Sequence, residues 1–210
     1  MIANSNSSAD CFVSGLSAVD ANNYHLAVDE FTKAIQLDSQ HGEAYFNRGL
    51  AYYFLNKHNE SLSDYSKAIE LDSQDSDAYN GRGLVYYQQK KHHDAISEFT
   101  KAIELNLNNA DAHNNRGNAY EDLKNFNQAI LDYSKSIEIN PLNADAFNNR
   151  GNSYYHMLKY SEAISDYTNA IQINPKSHDI YNNRGQIYST IGKIEEANAD
   201  FSKAQELMRI

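Results

Sequence analysis

The chain has 210 residues, 41% of them apolar and 22% charged, a composition that suits a folded chain and excludes a disordered one. Its formal net charge of −10 speaks against nucleic acid and against an anionic membrane surface, both of which call for clustered Lys and Arg. The single cysteine, Cys11, excludes an internal disulfide, and no run is apolar enough to span a bilayer.

Met1 to Ser7 carries neither a basic segment nor a hydrophobic run. It reads as a disordered tail over 1–7 and not as a signal peptide, so a cytoplasmic protein is expected. From Ser8 onward one pattern recurs. Gly15, Gly49, Gly83, Gly117, Gly151 and Gly185 stand 34 residues apart without insertion. The units run 8–41, 42–75, 76–109, 110–143, 144–177 and 178–210, and together they form one domain over 8–210. With each unit numbered 1 to 34, glycine falls at position 8 and Ala or Ser at positions 20 and 27. A ring always occupies position 24: Phe31, Tyr65, Phe99, Tyr133, Tyr167 or Phe201. Apolar spacings of three and four predict one helix over positions 2–14 and a second over 18–31. A polar turn such as Asn22-Asn23 or Lys124-Asn125 joins them, and Pro141 and Pro175 follow directly on the second helix, where it must stop.

The small residues at positions 8 and 20 let the paired helices approach closely, and rings at 4, 11 and 24 fill the surrounding space. This pattern resembles the tetratricopeptide repeat family over nearly the whole chain, from about Ser8 to Ile210. The resemblance implies an all-α, right-handed superhelical solenoid of six helix-turn-helix repeats, acting as a non-enzymatic scaffold for another protein. Tyr, Phe, His or Cys stands at position 4, where the family usually has Trp.

Along the chain, the first unit is atypical, with Asp10, Ser14, Ser17 and Ala18 at positions that later carry Ala, Arg, mostly apolar residues and Tyr. The next five units place Arg48, Arg82, Arg116, Arg150 and Arg184 at position 7, and Asp64, Glu98, Asp132, Asp166 and Asp200 at position 23. In an antiparallel hairpin these levels differ by roughly 3 Å, which a two-donor guanidinium–carboxylate pair can bridge. The arginines are therefore expected to be structural, with Arg150 and Asp166 as the representative pair. In the last unit Asn198 and Gln205 replace the aliphatic residues of positions 21 and 28. Polar residues there suit the closing face of a stack, so the array is expected to end with this unit and to stay monomeric.

The eight histidines form no His-Glu-x-x-His spacing, no Cys-x-x-Cys accompanies them, and no glycine loop suits phosphate. His113 reads as a core ring, and the adjacent acids Glu121 and Asp122 read as a solvated helix edge. Neither a catalytic site nor a cofactor nor a metal is expected. In the family the first helices line the concave face, with positions 2, 5, 9, 12 and 13 inward. Here those positions hold Asp20, Glu43, Asp77, Asp111, Glu121, Asp122, Asp145 and Asp179, and no Lys or Arg. They also hold Asn80, Asn114, Asn148 and Asn182 at position 5, and Asn118 and Asn152 at position 9. Asn115, Asn149 and Asn183 stand beside them at position 6.

An amide offers one acceptor and two donors, so it can pair with both groups of a peptide unit. The run resembles the asparagine ladder in the repeat region of O-linked N-acetylglucosamine transferases, and implies a groove for an extended, neutral or basic segment of a partner protein. Two alternatives fit the residues less well. A co-chaperone adaptor that binds acidic C-terminal tails needs inward Lys and Arg, which are missing. An end-to-end structural array conflicts with Asn198 and Gln205.

Overall fold

The computed structural model describes residues 7–209, and all twelve elements found among them are α-helices. Of the expected tail over 1–7, only Ser7 lies among the described residues. The chain divides into two compact units, with the boundary after Leu107. The first contains α1 (Ser8–Asp20), α2 (Tyr24–Leu37), α3 (Gly42–Phe54), α4 (His58–Leu71), α5 (Ser76–Gln88) and α6 (His92–Leu105). The second contains α7 (Ala110–Asp122), α8 (Phe126–Ile139), α9 (Ala144–His156), α10 (Tyr160–Ile173), α11 (His178–Thr190) and α12 (Ile194–Leu207).

Helix starts and stops follow from local chemistry. Ser7 and Asp10 form a reciprocal capping box on α1, while Asn109 and Asn143 cap α7 and α9 by accepting from Ala112 and Ala146 backbone N–H groups. Every helix begins and ends one residue earlier than the periodicity predicts. For the ends of the first helices the reason lies at position 15. Asn22, Asn56, Lys90, Lys124, Leu158 and Gly192 all adopt left-handed φ, between 55° and 81°, which stops each first helix and reverses the chain. Asparagine and glycine tolerate that conformation; Leu158 has no chemistry to favour it.

Packing within each hairpin centres on the glycine of position 8 and the ring of position 24. A Cβ on Gly117 would lie 2.6 Å from Cε1 of Tyr133, and one on Gly151 would lie 2.8 Å from Cε1 of Tyr167. Glycine is thus required because the ring occupies the space that a methyl group would need. Phe31, Tyr65 and Phe99 fill the first unit in this way, and Tyr133 and Tyr167 the second, among alanines such as Ala112, Ala119, Ala129 and Ala163 with no exposed surface.

The position-7 arginines each grip the position-23 acid of the same hairpin in a two-pronged pair. Nε and one terminal nitrogen reach the two carboxylate oxygens at 2.7–3.0 Å in all five hairpins. The other terminal nitrogen donates to a hydroxyl of the preceding repeat: Arg48 to Thr32, Arg82 to Ser66, Arg150 to Ser134 and Arg184 to Thr168, at 2.9–3.1 Å. The guanidinium therefore ties neighbouring hairpins together as well as closing its own. A free phosphate site would need these same donors, and they are occupied.

Candidate functional site

In the second unit the first helices α7, α9 and α11 lie side by side. The amides singled out in the sequence meet there, and many of them meet one another. Asn118 accepts the Tyr133 hydroxyl at 2.8 Å and the Asn149 amide at 3.0 Å on the same oxygen. One repeat later Asn152 accepts the Tyr167 hydroxyl at 2.7 Å and Asn183 at 3.4 Å. Asn183 also donates to Asn148 at 3.2 Å, and Asn148 to Asn149 at 3.4 Å. The ladder is thus first an internal network: oxygens of position 9 hold buried tyrosine hydroxyls, and amides of position 6 reach back to the preceding repeat.

This changes what a ligand would find. The oxygens of Asn118 and Asn152 are spent, so these residues would meet a peptide through their N–H groups. Asn114 is half-buried and its oxygen lies buried without a hydrogen-bond partner. Asn115 and Asn182 are half-buried on α7 and α11. Asn80 is on α5 of the first unit.

The signal for the internal role was in the sequence. Position 9 is Leu in the first three repeats and Asn only in the fourth and fifth, which carry Tyr133 and Tyr167 at position 24. In the second repeat Tyr65 has Leu50 at position 9, and its ring packs where a Cβ on Gly81, at position 6 of the third repeat, would stand, at 2.6 Å. Glycine replaces asparagine at that position for space.

The acids divide into two kinds. Asp111, Asp145 and Asp179 are exposed in the first turns of their helices, where the macrodipole favours negative charge whatever binds nearby. Glu121 departs from the solvated-edge expectation. It is half-buried, lies 2.8 Å from the Tyr133 hydroxyl, whose one proton it shares with Asn118, and burial raises its pKa against the opposing pull of that contact and of His156. Asp122 beside it is exposed. Glu121, Asn152, Tyr155, His156, Tyr167, Asn183 and Gln186 enclose a recess of about 210 Å³.

Elsewhere the titratable groups serve packing. His113 is buried, with Nδ1 3.3 Å from the Asp132 carboxylate that Arg116 also holds. Burial alone would raise the Asp132 pKa, but the bonds from Arg116 and His113 outweigh it and bring it below the usual value. Among the described residues no group of three or more His, Cys, Asp or Glu could hold a metal ion, and no helix is long and apolar enough to cross a membrane.

Stacked helical hairpins closed by internal ion pairs, with a polar first-helix face, define a repeat protein of the α-solenoid class. Family models confirm its type: those described as tetratricopeptide repeat match residues 110–143, 144–177 and 166–198, and one described as TPR repeat matches 51–90 and 83–124. The chain belongs to the tetratricopeptide repeat family. Among solved structures it is similar to YrrB, titled a TPR protein with an unusual peptide-binding site, at 26% identity and TM-score 0.68, covering 84% of this chain and 91% of that one. MamA aligns at 23% identity and TM-score 0.67, covering 80% of this chain and 92% of that one. The pilF protein of Pseudomonas aeruginosa shares the fold at 18% identity and TM-score 0.85, over 95% of this chain and 91% of that one. A search of the curated proteins found no match.

Proposed function

We propose that the face built by α7, α9 and α11 holds an extended segment of a partner protein, neutral or basic in charge, and that the chain works as a cytoplasmic, monomeric scaffold without catalysis of its own. The observation that carries this reading is the amide network of Asn118, Asn149, Asn152 and Asn183. It fixes side-chain donors and acceptors in register with the repeat and orders them before any ligand arrives, which lowers the entropic cost of binding. The surrounding charge supports the choice of ligand, since Asp111, Asp145 and Asp179 stand exposed on the same helices and Glu121 lies half-buried. The similarity to YrrB, whose title reports a peptide-binding site, supports the ligand class.

A peptide-library screen tests the reading on three proteins: the wild type, the Asn115→Ala/Asn149→Ala variant and the Asp111→Lys/Asp145→Lys variant. The wild type is expected to select neutral and basic extended peptides with clear salt dependence. The asparagine variant should bind them roughly 1–3 kcal/mol more weakly, and the lysine variant should shift selection toward acidic peptides. Selection of acidic C-terminal tails by the wild type, or unchanged binding by the asparagine variant, would overturn the proposal.

A further inference from the structure

We propose that the recess enclosed by Glu121, Asn152, Tyr155, His156, Tyr167, Asn183 and Gln186 receives one cationic side chain, lysine or arginine, from the segment bound on this face. The inference rests on the peptide-binding reading above and adds a specificity site to it. At about 210 Å³ the recess is smaller than the roughly 300–1,000 Å³ typical of sites for whole small molecules, and it suits a single long side chain.

Its chemistry selects the sign. A carboxylate can accept about four hydrogen bonds, and the Tyr133 hydroxyl offers Glu121 only the one proton that it shares with Asn118. Asn183 gives its N–H groups to Asn148 and Asn152, so its oxygen is the part of the amide left to face a ligand. Gln186 is exposed on α11 and adds a second amide oxygen. The Tyr155 ring supplies an aromatic wall of the kind that attracts ammonium and guanidinium groups. No Lys or Arg lines the recess. His156, the one lining group that can become positive, is exposed and stacked on Phe126 at 4.9 Å.

A half-buried carboxylate in such a place costs solvation energy, in line with the upward pKa of Glu121. An arriving cation offsets that cost without displacing any internal partner. An anionic side chain would meet Glu121 directly, and an apolar one would leave it desolvated and unpaired.

The test is an NMR titration of the full chain with acetyl-Gly-Ala-Lys-Ala-Gly-amide and its arginine, norleucine and glutamate analogues. The lysine or arginine peptide is expected to shift the side-chain amide signals of Asn152, Asn183 and Gln186, with norleucine binding about tenfold or more weakly. Glu121→Gln keeps an acceptor for Tyr133 and should remove the lysine–norleucine difference. Glu138→Gln makes the same change in net charge on an exposed site of α8 and should preserve it. Equal binding of lysine and norleucine peptides to the wild type overturns the cation site. If the Asn115→Ala/Asn149→Ala variant still weakens both, the wider face survives that failure. If no peptide binds the wild type at all, both readings fall together.

Discussion

Replacing Arg150 by Leu withdraws a guanidinium from a carboxylate that has almost no access to water. Asp166 keeps only 4% of its side-chain surface exposed and Arg150 19%. Two charge-assisted bonds of 2.8 and 2.7 Å to Asp166 are lost, along with the 2.9 Å bond to Ser134. Orphaning a buried charge costs about 3–5 kcal/mol. The partial exposure of Arg150 lets water reach the gap, so the lower end, about 3 kcal/mol, is expected. Asp166→Leu should cost about 2 kcal/mol, because the arginine left behind can turn to solvent. The double variant Arg150→Leu/Asp166→Leu should lose only about 1–2 kcal/mol, well short of the sum, since no charge then stays buried. Arg150→Lys should recover part of the single loss, as an ammonium cannot fork across two oxygens. Urea unfolding followed by far-UV circular dichroism and by tyrosine fluorescence gives the four values, and coincidence of the two probes checks that a single transition is measured. Losses that add in the double variant to within about 0.5 kcal/mol would refute the pair as an energetic unit.

Three further outcomes are expected. Leu158→Gly should stabilise by about 0.5–1 kcal/mol in urea unfolding, because Leu158 has φ of 61° and is 70% exposed, so strain is relieved and little packing is lost. Gly117→Ala should destabilise by about 1–2 kcal/mol despite its better helix propensity, since its methyl would press on the Tyr133 ring; a gain in midpoint would contradict that packing. Burial raises the folded-state pKa of Glu121 above 4.5, so its carboxylate costs stability above the folded value, and that cost disappears as pH falls through it. Glu121→Gln should therefore gain on the wild type at neutral pH, with the gap narrowing on acidification toward 4.5; a gap independent of pH would remove the linkage.

The hairpin repeat was legible because small residues and rings at fixed positions mark contacts that tolerate nothing larger. Gly117 and Tyr133 show why: their spacing in sequence is a direct statement of a steric fit. The arginine–acid pairing was legible for a similar reason, as charge complementarity at positions 7 and 23 recurs in five hairpins. What stayed hidden was the third arginine bond. It crosses to the preceding repeat, and only the recurrent Ser or Thr at position 25 hints at it. The left-handed turn residue was also missed, because Lys90, Lys124 and Leu158 lack the glycine or asparagine that signals such φ.

The face itself was half legible. Helical spacing placed Asn118 and Asn152 together with Asn149 and Asn183, but a single sequence could not tell amides offered to a ligand from amides offered to a tyrosine hydroxyl. Depth was the second gap. Glu121 and Asp122 are neighbours of the same charge type, yet one turns under Tyr133 and the other faces solvent.

The measurement that reaches the central claim most directly is chemical-shift mapping of the strongest peptide from the library screen, on protein labelled at backbone and asparagine side-chain amides. The account predicts saturable shifts concentrated on α7, α9 and α11, including the side-chain signals of Asn118, Asn149, Asn152 and Asn183, with α8, α10 and α12 nearly silent. Shifts centred on the second helices, with those asparagine signals unmoved at saturation, would contradict it.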